Sequence, residues 1–253
     1  MAVDLLSVPG MLPTAILIAV TALFLILERA FPGRDLPVAR GWYARALLLN
    51  FIQIVISFAT AKLWIHVFSG VSLFSLSDWN SPFAEGFVGW FIGTFFFYWW
   101  HRIRHLKPFW LVFHQVHHSP SRIEVFTSFY KHPVEIFSDA VLTALVLYPV
   151  LGCSLYAIFW YNLFAAVGEY FYHANIRTPR WLRYLIQTPE LHSVHHQYDV
   201  HRFNFGDIPL WDRFFGTYKD ATEFVRRCGF PTGAEAKLAQ MLLFKDVYRE
   251  QPE

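Results

Sequence analysis

Four long apolar stretches divide the chain, and most charged residues lie between them. The first three stretches cover residues 5–27, 46–66 and 86–100. A helix needs about 20 apolar residues to cross the hydrocarbon of a bilayer. We therefore predict three membrane-spanning helices, and the aromatic run at 95–100 suits the membrane interface at the end of the third. His66 stands alone in the second predicted span, where we expect it to be a packing residue.

The fourth apolar stretch, 140–168, has no charged residue but contains Pro149 and Gly152. One straight helix of that length would overshoot the bilayer, because each residue adds about 1.5 Å. We expect two shorter helices that fold back on each other near 148–154. Such a hairpin, 134–172 in all, returns the chain to the side of the membrane that it left.

The distribution of positive charge orients the predicted helices. The loop after the second span, 67–85, has two acidic residues and no Lys or Arg, whereas the first loop has four arginines: Arg29, Arg34, Arg40 and Arg45. Short loops rich in Arg and Lys stay in the cytoplasm. We therefore expect the amino terminus outside, and segments 101–133 and 169–253 on the cytoplasmic face.

The histidines are concentrated after the third span. Eleven of the twelve lie between His101 and His201, in one H-x-x-x-H and two H-x-x-H-H motifs. Positions i, i+3 and i+4 share one face of a helix, so each motif can present two or three imidazoles to one point. Ser119-Pro120 is expected to end one helix, and Thr188-Pro189 is typical of an N-cap followed by the first helical residue.

Clustered imidazoles of this number favour metal binding. Imidazole is a good ligand for iron, zinc, copper and nickel. Eight histidines exceed the four ligands of a tetrahedral zinc ion and indicate two metal ions, which lie about 3.5–4 Å apart in two-metal sites. The alternative is that these histidines are amphipathic residues at a membrane surface. The repetition of the motifs on one predicted face argues against that alternative.

Composition and patterning together define the fold class. Hydrophobic residues make up 55% and charged residues 16% of the chain, against about 45–50% and about 25% in soluble domains. The net charge of +2 lacks the basic footprint of a nucleic-acid binder. We predict an all-α integral-membrane helical bundle of about three spans plus a helical hairpin, with a cytoplasmic histidine-rich cap. It forms a single domain, in which 1–100 is mainly transmembrane, 101–218 carries the metal site and 219–253 is a cytoplasmic tail.

The three motifs, with H-R-F-N-F-G at 201–206 and W-D-R-F-F-G-T-Y at 211–218, resemble the fatty acid hydroxylase/sterol desaturase superfamily of membrane enzymes. The resemblance covers about 86–218. It implies a non-haem di-iron centre that uses O₂ and two electrons to attack an unactivated C–H bond of a lipid. Carried over residue by residue, it implies nine metal ligands: His101, His105, His114, His117, His118, His173, His192, His195 and His196.

Five further residues are candidates to bind metal or to support its ligands. Glu169 precedes His173 by four residues and is expected to be a ligand, a hydrogen-bond acceptor for an imidazole, or an ion-pair partner of an arginine. His132 lies in a recurrent family signature and either serves the site or anchors the start of the hairpin. His201 is expected to support the ligand histidines. Asn204 and Asp212 are expected to support them through hydrogen bonds.

We expect an O₂-dependent di-iron hydroxylase of a membrane lipid, a fatty acyl or a sterol-like substrate. The alternatives are a desaturase with the same site, a membrane zinc hydrolase and a non-catalytic metal-binding membrane protein. A zinc hydrolase would favour H-E-x-x-H, and the sequence contains no H-E pair. Two iron ions are expected, with zinc able to replace them in purified protein. The sequence has no G-x-G-x-x-G nucleotide fingerprint, no C-x-x-C spacing of an iron–sulfur site and no fused haem domain, so we expect no bound NAD, flavin or haem.

The remaining expectations concern partners and location. Electrons would come from an external ferredoxin, or from cytochrome b5 with its reductase. Five basic residues dock that carrier or bind anionic headgroups: Arg102, Arg104, Lys107, Arg177 and Arg180. The lipid would enter from the bilayer between apolar walls at 95–99 and 159–164. The carboxyl terminus has no retention signal, which favours a bacterial inner membrane over the endoplasmic reticulum.

Overall fold

The computed structural model describes residues 10–68, 70–231 and 233–248, without the side chains of Ala61, Lys62, Ile65 and His66. Within these residues there is no β-strand, and the chain forms nine α-helices. They are α1 Met11–Ala30, α2 Trp42–Phe68, α3 Pro82–Arg104, α4 Gln115–His118, α5 Pro133–Leu145, α6 Ala157–His173, α7 Pro189–His195, α8 Pro209–Phe214 and α9 Leu238–Leu242. The prediction of an all-α fold is confirmed.

Three helical segments are long and apolar enough to cross a membrane: Met11–Ala30, Trp42–Thr60 and Pro133–Val150. The first two correspond to the first two predicted spans, although residues 5–9 and the side chain of His66 lie outside the described part. The third predicted span lies inside α3, a continuous helix of 23 residues. Helix α3 is not among the three candidate spans of the described residues, so the third predicted span is not confirmed, and the third candidate lies in the predicted hairpin instead. The general prediction of a membrane-spanning helical protein is confirmed.

The fourth apolar stretch forms the predicted hairpin. Helix α5 continues as a π-helical turn, Val146–Val150, and α6 begins at Ala157 after the chain has reversed. Gly152 lies in the reversal with a φ of 61°. A Cβ there would lie 2.1 Å from the carbonyl oxygen of Phe74. The turn therefore needs a residue that has no side chain and tolerates a left-handed conformation.

Helices α3 and α6 run side by side in the same direction and meet through small residues of α3. A Cβ at Gly86 would lie 2.6 Å from the Cβ of Trp160, and a Cβ at Gly93 would lie 3.1 Å from the ring of Tyr161. Such small residues let helix backbones approach closely in a membrane. The close contact at the start of the two helices aligns their carboxyl ends, where histidines are located.

The carboxyl end of α1 is fixed to the same region by a buried carboxylate. Glu28 is 1% exposed, and its Oε2 accepts hydrogen bonds from the backbone N–H groups of Val125 (2.9 Å) and Asn175 (3.3 Å). These two residues follow α4 and α6, respectively. Glu28 therefore connects the first helix to two of the segments that carry histidines.

Candidate metal centre

Short helices position the histidine motifs as the sequence signals predict. His101 lies on the last turn of α3, and α4 ends at His118 with Ser119 as its C-cap. At the start of α7, the hydroxyl of Thr188 accepts a hydrogen bond from the Leu191 N–H at 3.4 Å, and Pro189 is the first helical residue. The N-cap prediction at Thr188 is confirmed.

Nine histidines converge in two adjacent groups, and within each group one ring nitrogen from every member lies within 4.8 Å of the others. The first group has five members: His101, His105, His114, His118 and His195. The second group has four: His117, His173, His192 and His196. These are the nine histidines that the family resemblance implies as ligands.

Each H-x-x-H-H motif is divided between the two groups. His114 and His118 belong to the five-histidine group, while His117 belongs to the four-histidine group. In the second motif, His192 and His196 belong to the four-histidine group, while His195 belongs to the five-histidine group. The ring centroids of His118 and His196 are 4.3 Å apart. Each motif thus contributes to both groups. The spacing of the motifs had predicted that the imidazoles of one motif would meet at a single point.

Backbone carbonyl groups fix the orientation of three of these imidazoles. The Nδ1 atom of His101 lies 2.7 Å from the carbonyl oxygen of Phe205. Those of His195 and His173 lie 2.8 Å from the carbonyl oxygens of Phe203 and Glu169. A carbonyl oxygen accepts only, so Nδ1 carries the proton in each neutral ring. Nε2 is then left with a free lone pair, as metal coordination requires.

Ring nitrogens of different histidines face one another at short distance. The Nε2 atoms of His101 and His114 are 2.8 Å apart, and Nδ1 of His114 lies 2.9 Å from a carboxylate oxygen of Glu135. The Nε2 of His173 lies 3.0 Å from that of His192 and 3.3 Å from that of His117. Because His101 and His114 both use Nδ1 as the donor, both of their Nε2 atoms are unprotonated, and two such nitrogens repel at 2.8 Å unless a cation binds them. The donor arrangement therefore fits metal ions.

Other ring nitrogens in the groups are buried and lack a hydrogen-bond partner within the described residues. They are both nitrogens of His105 and His118, Nδ1 of His117, His192 and His196, and Nε2 of His195. Buried polar atoms nearly always have a partner, so a cluster of orphaned donors and acceptors indicates a missing ligand. This observation, like the facing lone pairs, fits a metal centre.

Burial keeps these imidazoles uncharged. Desolvation lowers the pKa of His105, His118 and His192 well below the usual value, and neighbouring imidazoles lower it further. Burial lowers the pKa of His195 to about 3, against the opposing effect of its bond to Phe203. Because metal ligation requires a neutral imidazole, the folded protein presents its histidines at pH 7 in the protonation state that binds metal.

Three of the less certain candidates lie beside the groups and not in them. The ring of His132 accepts a hydrogen bond from the Val134 N–H at 3.1 Å and caps α5, so it anchors the start of the hairpin. The ring of His201 lies 5.0 Å from that of His118. Glu169 accepts from Nζ of Lys131 at 3.0 Å, and its Oε2 lies 3.5 Å from Nδ1 of His173. Its ion-pair partner is thus a lysine and not the expected arginine.

Asn204 and Asp212 support the site indirectly, because neither bonds to a histidine. The amide of Asn204 donates to the carbonyl of Leu191 in α7 at 2.9 Å. The carboxylate of Asp212 accepts from the backbone N–H groups of Phe205 (2.8 Å) and Gly206 (2.7 Å). The expectation of direct hydrogen bonds to ligand histidines is therefore wrong. These side chains hold the backbone segment whose carbonyl groups orient His101 and His195.

Sequence reasoning missed Glu135 and assigned Arg104 wrongly. Glu135 is fully buried and contacts both His114 and Arg104, which also lies 3.6 Å from Asp139. Arg104 is 4% exposed and cannot dock an electron carrier, because its guanidinium is inside the protein. An ionisable residue in the first turn of an apolar helix is by default a functional candidate, and this signal identifies Glu135 in the sequence.

A small cavity of about 20 Å³ lies against both histidine groups. Its other lining residues are Phe97, Arg104, Lys131, Glu169, Tyr172 and Asp207. Phe97 belongs to the expected apolar wall at 95–99. Phe164 packs against Phe83 and Phe87, near the opposite end of α3, with ring centroids 5.6 and 5.5 Å away. No residue of the other expected wall, 159–164, lines this cavity.

Comparisons with known proteins agree with this site. Human alkylglycerol monooxygenase is 28% identical over 168 residues, which cover 64% of this chain and 36% of the human protein. Methylsterol monooxygenase 2-1 of Arabidopsis thaliana is 35% identical over 101 residues, 40% of this chain and 37% of that protein. Ornithine lipid hydroxylase OlsE of Rhizobium tropici is 28% identical over 180 residues, 69% of this chain and 52% of that protein.

The similarity to these curated relatives thus spans between about a third and a half of their length. No solved structure matches the chain significantly. The sequence model of the family described as Fatty acid hydroxylase matches residues 86–217, just over half of the chain and the whole region of the two histidine groups. The chain belongs to the fatty acid hydroxylase family.

Proposed function

We propose that this protein is an O₂-dependent hydroxylase of a membrane lipid that uses two iron ions. The observation that carries the proposal is the convergence of nine histidines, eight of them buried, in two adjacent groups beside one cavity. The family and the monooxygenase and hydroxylase names of the relatives support it. The reaction inserts one oxygen atom of O₂ into a C–H bond and reduces the other to water with two electrons and two protons.

The five-histidine group would hold one iron ion and the four-histidine group the other. Imidazole nitrogens suit iron, and the neutral state of the rings suits binding at pH 7. Bound iron would supply the redox chemistry with O₂ that no amino-acid side chain provides. The split H-x-x-H-H motifs tie the two positions together, because a shift of α4 or α7 moves ligands of both groups.

The protein's own residues would orient the ligands and exclude water. The carbonyl groups of Phe203 and Phe205 hold His195 and His101 in one tautomer and one ring orientation. Such hydrogen bonds to ligand histidines strengthen metal binding. Glu135 does the same for His114 and is itself held by Arg104. Nearly all of the nine histidines are buried, which keeps bulk water from the reaction.

The lipid would reach the cavity from the bilayer, and the electrons would come from an external carrier. A ferredoxin, or cytochrome b5 with its reductase, would serve as the carrier. Arg102 is partly exposed, and Lys107, Arg177 and Arg180 are exposed. These four residues remain candidates for carrier docking or for contact with anionic headgroups. By the positive-inside rule, we place the histidine groups in the cytoplasm, with the amino terminus outside and a bacterial inner membrane as the location.

Desaturation with the same two iron ions is the alternative reaction, since removal of a second hydrogen in place of hydroxyl transfer gives an alkene. The names of the relatives favour hydroxylation. A zinc hydrolase and a non-catalytic metal-binding protein are the alternatives from other classes. Both predict no O₂-dependent lipid product, which separates them from the proposal.

Metal content per chain in detergent-purified protein tests the proposal. We expect about two iron ions per chain, one lost in His195→Ala and the other in His117→Ala, with both retained in His201→Ala as the matched control. Purified protein reconstituted with iron and a reducing carrier should then incorporate ¹⁸O from ¹⁸O₂ into lipid. One metal ion or none in the wild type would overturn the two-metal site. Two metal ions without any O₂-dependent lipid product would overturn the hydroxylase.

A further inference from the structure

Helix α8 follows the last histidine motif, in a segment that the distribution of charge assigns to the cytoplasm, yet it packs against the middle of α3. The indole N–H of Trp211 donates to the hydroxyl of Thr94 at 2.8 Å. Its ring centroid lies 5.1 Å from that of Phe95 and 6.4 Å from that of Phe91. These contacts fix the position of α8 along the axis of α3.

The depth of that part of α3 follows from its contacts with the hairpin. The indole N–H of Trp100 donates to Oδ1 of Asp139 at 2.8 Å. Nearer the start of the helix, a Cβ on Gly89 would lie 2.5 Å from the side chain of Leu147. Both partners belong to the segment Pro133–Val150, which is long and apolar enough to cross a membrane. The part of α3 between these two contacts therefore runs beside a candidate span.

Trp211 thus lies at the depth of the hydrocarbon, and its polar atom is satisfied there. Thr94 lies between the two contacts, six residues before Trp100 and about 9 Å deeper along the helix axis. Its hydroxyl donates to the carbonyl group of Phe91 at 2.6 Å and accepts from the indole. Polar groups inside a bilayer need such partners within the protein, because no water is present. Asp212, the next residue of α8, is fully buried and accepts three hydrogen bonds, so its carboxylate is shielded as well.

The outward face of α8 and the loop beside it expose apolar and aromatic side chains. Leu210 and Phe214 on the helix are 47% and 76% exposed. The guanidinium of Arg213 lies 5.2 Å from the ring centroid of Tyr184, which places the loop 181–185 next to α8. Five exposed side chains form this surface, which we call the α8 patch: Trp181, Tyr184, Leu185, Leu210 and Phe214.

The α8 patch continues an exposed stripe of α3. Phe83, Phe87 and Phe91 are spaced by four residues, so they share one face of α3, and they are 52%, 45% and 41% exposed. Trp211 packs against the last of them. An apolar stripe on a helix that runs beside a candidate span suits the acyl chains of lipids. The α8 patch extends that lipid-facing surface.

Residues at the edge of the α8 patch suit the headgroup region. Arg180 is 75% exposed, and a long basic side chain can keep its stem in the apolar layer while its charge reaches the headgroups. The Trp and Tyr of the patch are residue types that are enriched at this level. Phe215, directly after α8, lies 4.7 Å from Trp99 between ring centroids. The region around α8 therefore extends from the middle of α3 towards its histidine-bearing end.

We propose that the α8 patch is embedded among lipid acyl chains, in the leaflet on the side of the histidine groups. Part of the segment 169–253 then lies inside the membrane. A water-soluble partner could not reach the patch at this depth. Because Asp212 holds Phe205, whose carbonyl group orients His101, lipid packing around α8 also fixes the position of the metal centre relative to the bilayer.

Nitroxide labels on the full chain, in vesicles of phosphatidylcholine and phosphatidylglycerol, test this placement. Cys153 and Cys228 are buried and are replaced by Ala, so that one cysteine is introduced at a time. Phe214→Cys places the label in the α8 patch. Phe87→Cys, on the exposed face of α3, is the membrane reference, and Glu223→Cys is the aqueous control, because Glu223 is 60% exposed. Relaxation by O₂, which concentrates in hydrocarbon, is compared with relaxation by a water-soluble nickel chelate.

We expect the ratio of O₂ to nickel accessibility at Phe214→Cys to match that at Phe87→Cys. It should exceed the ratio at Glu223→Cys by at least about tenfold, because transfer of a polar complex into hydrocarbon is unfavourable. Leu210→Cys, on the same helix, should give the same result. A ratio at both positions of α8 equal to that at Glu223→Cys would overturn the inference. Protection of both positions from O₂ and nickel alike would also overturn it, because the patch would then be covered by protein.

Discussion

The role of Asp212 gives a prediction whose magnitude follows from its contacts. Asp212 is fully buried, and its carboxylate accepts three hydrogen bonds, from the N–H groups of Phe205 and Gly206 and from the hydroxyl of Thr217 (2.7 Å). In Asp212→Asn, the amide oxygen can keep the bonds to Phe205 and Thr217. The amide NH₂ then faces the Gly206 N–H, so one bond to a charged acceptor is lost and one buried donor has no partner.

The loss of that bond should lower the free energy of unfolding by about 2–4 kcal/mol, since a hydrogen bond to a charged group contributes about 1.5–3 kcal/mol and an orphaned buried donor adds to the loss. The change should also reach the metal centre. The carbonyl group of Phe205 accepts from Nδ1 of His101 at 2.7 Å, so loosening of Phe205 loosens this ligand. Loss of such outer partners lowers metal affinity by about 10–100-fold.

Two measurements separate these effects. Denaturant unfolding of metal-free protein in detergent gives the change in stability, and competition with a chelator gives the change in metal affinity. Asp220→Asn is the matched control, because this exposed residue should change stability by less than about 0.5 kcal/mol. A loss of stability without a loss of metal affinity would refute the connection from Asp212 to His101. Unchanged stability would refute the hydrogen-bond reasoning itself.

Three other predictions concern the histidines and the helix contact. His117→Ala should remove one metal ion per chain while His201→Ala removes none, by elemental analysis; equal loss in both would contradict the grouping. The pKa of His195 is about 3 when folded and about 6.5 when unfolded, so the unfolded state binds more protons between these values. The free energy of unfolding of the metal-free protein should therefore be unaffected by this histidine above about pH 6.5. Below that pH it should fall by about 1.4 kcal/mol per pH unit for each histidine with a pKa lowered in this way. Unfolding midpoints that stay constant down to pH 5 would contradict this prediction. Gly86→Ala should cost about 1–3 kcal/mol by overpacking against α6, whereas Gly168→Ala, where a Cβ has 3.9 Å of space, should be neutral or stabilising in the same unfolding assay.

Much of the fold can be predicted from the sequence because the bilayer restricts what an apolar segment can do. A long apolar stretch must form a helix that satisfies its own backbone hydrogen bonds. Pro149 and Gly152 then predict the hairpin, since they interrupt a stretch too long for one span. The contact between α3 and α6 cannot be predicted in this way. Gly86 matters there because of the partner that it faces, and the partner is set by tertiary packing.

The residues of the site likewise include some that the sequence identifies and some that only the tertiary structure identifies. The nine histidines are evident from the sequence, because helical spacing and the family motifs select them. The assignment of Arg104 fails, because an arginine after a span reads as an exposed charge, and only the fold shows Glu135 and Asp139 beside it. Asn204 and Asp212 also act differently from expectation, because their partners are backbone groups, which every residue carries and no motif marks.

The sequence by itself determined a helical membrane protein, the nine histidines of its candidate metal centre and the chemistry that such ligands favour. Those properties depend on residue type and local spacing, which are read directly along the chain. Only the tertiary structure decided how the histidines divide into groups of five and four. It also decided that Arg104, Lys131, Glu169 and Asp207 lie beside these groups. These properties depend on contacts between α3, α4, α6 and α7, whose residues are far apart in the chain and are brought together by packing.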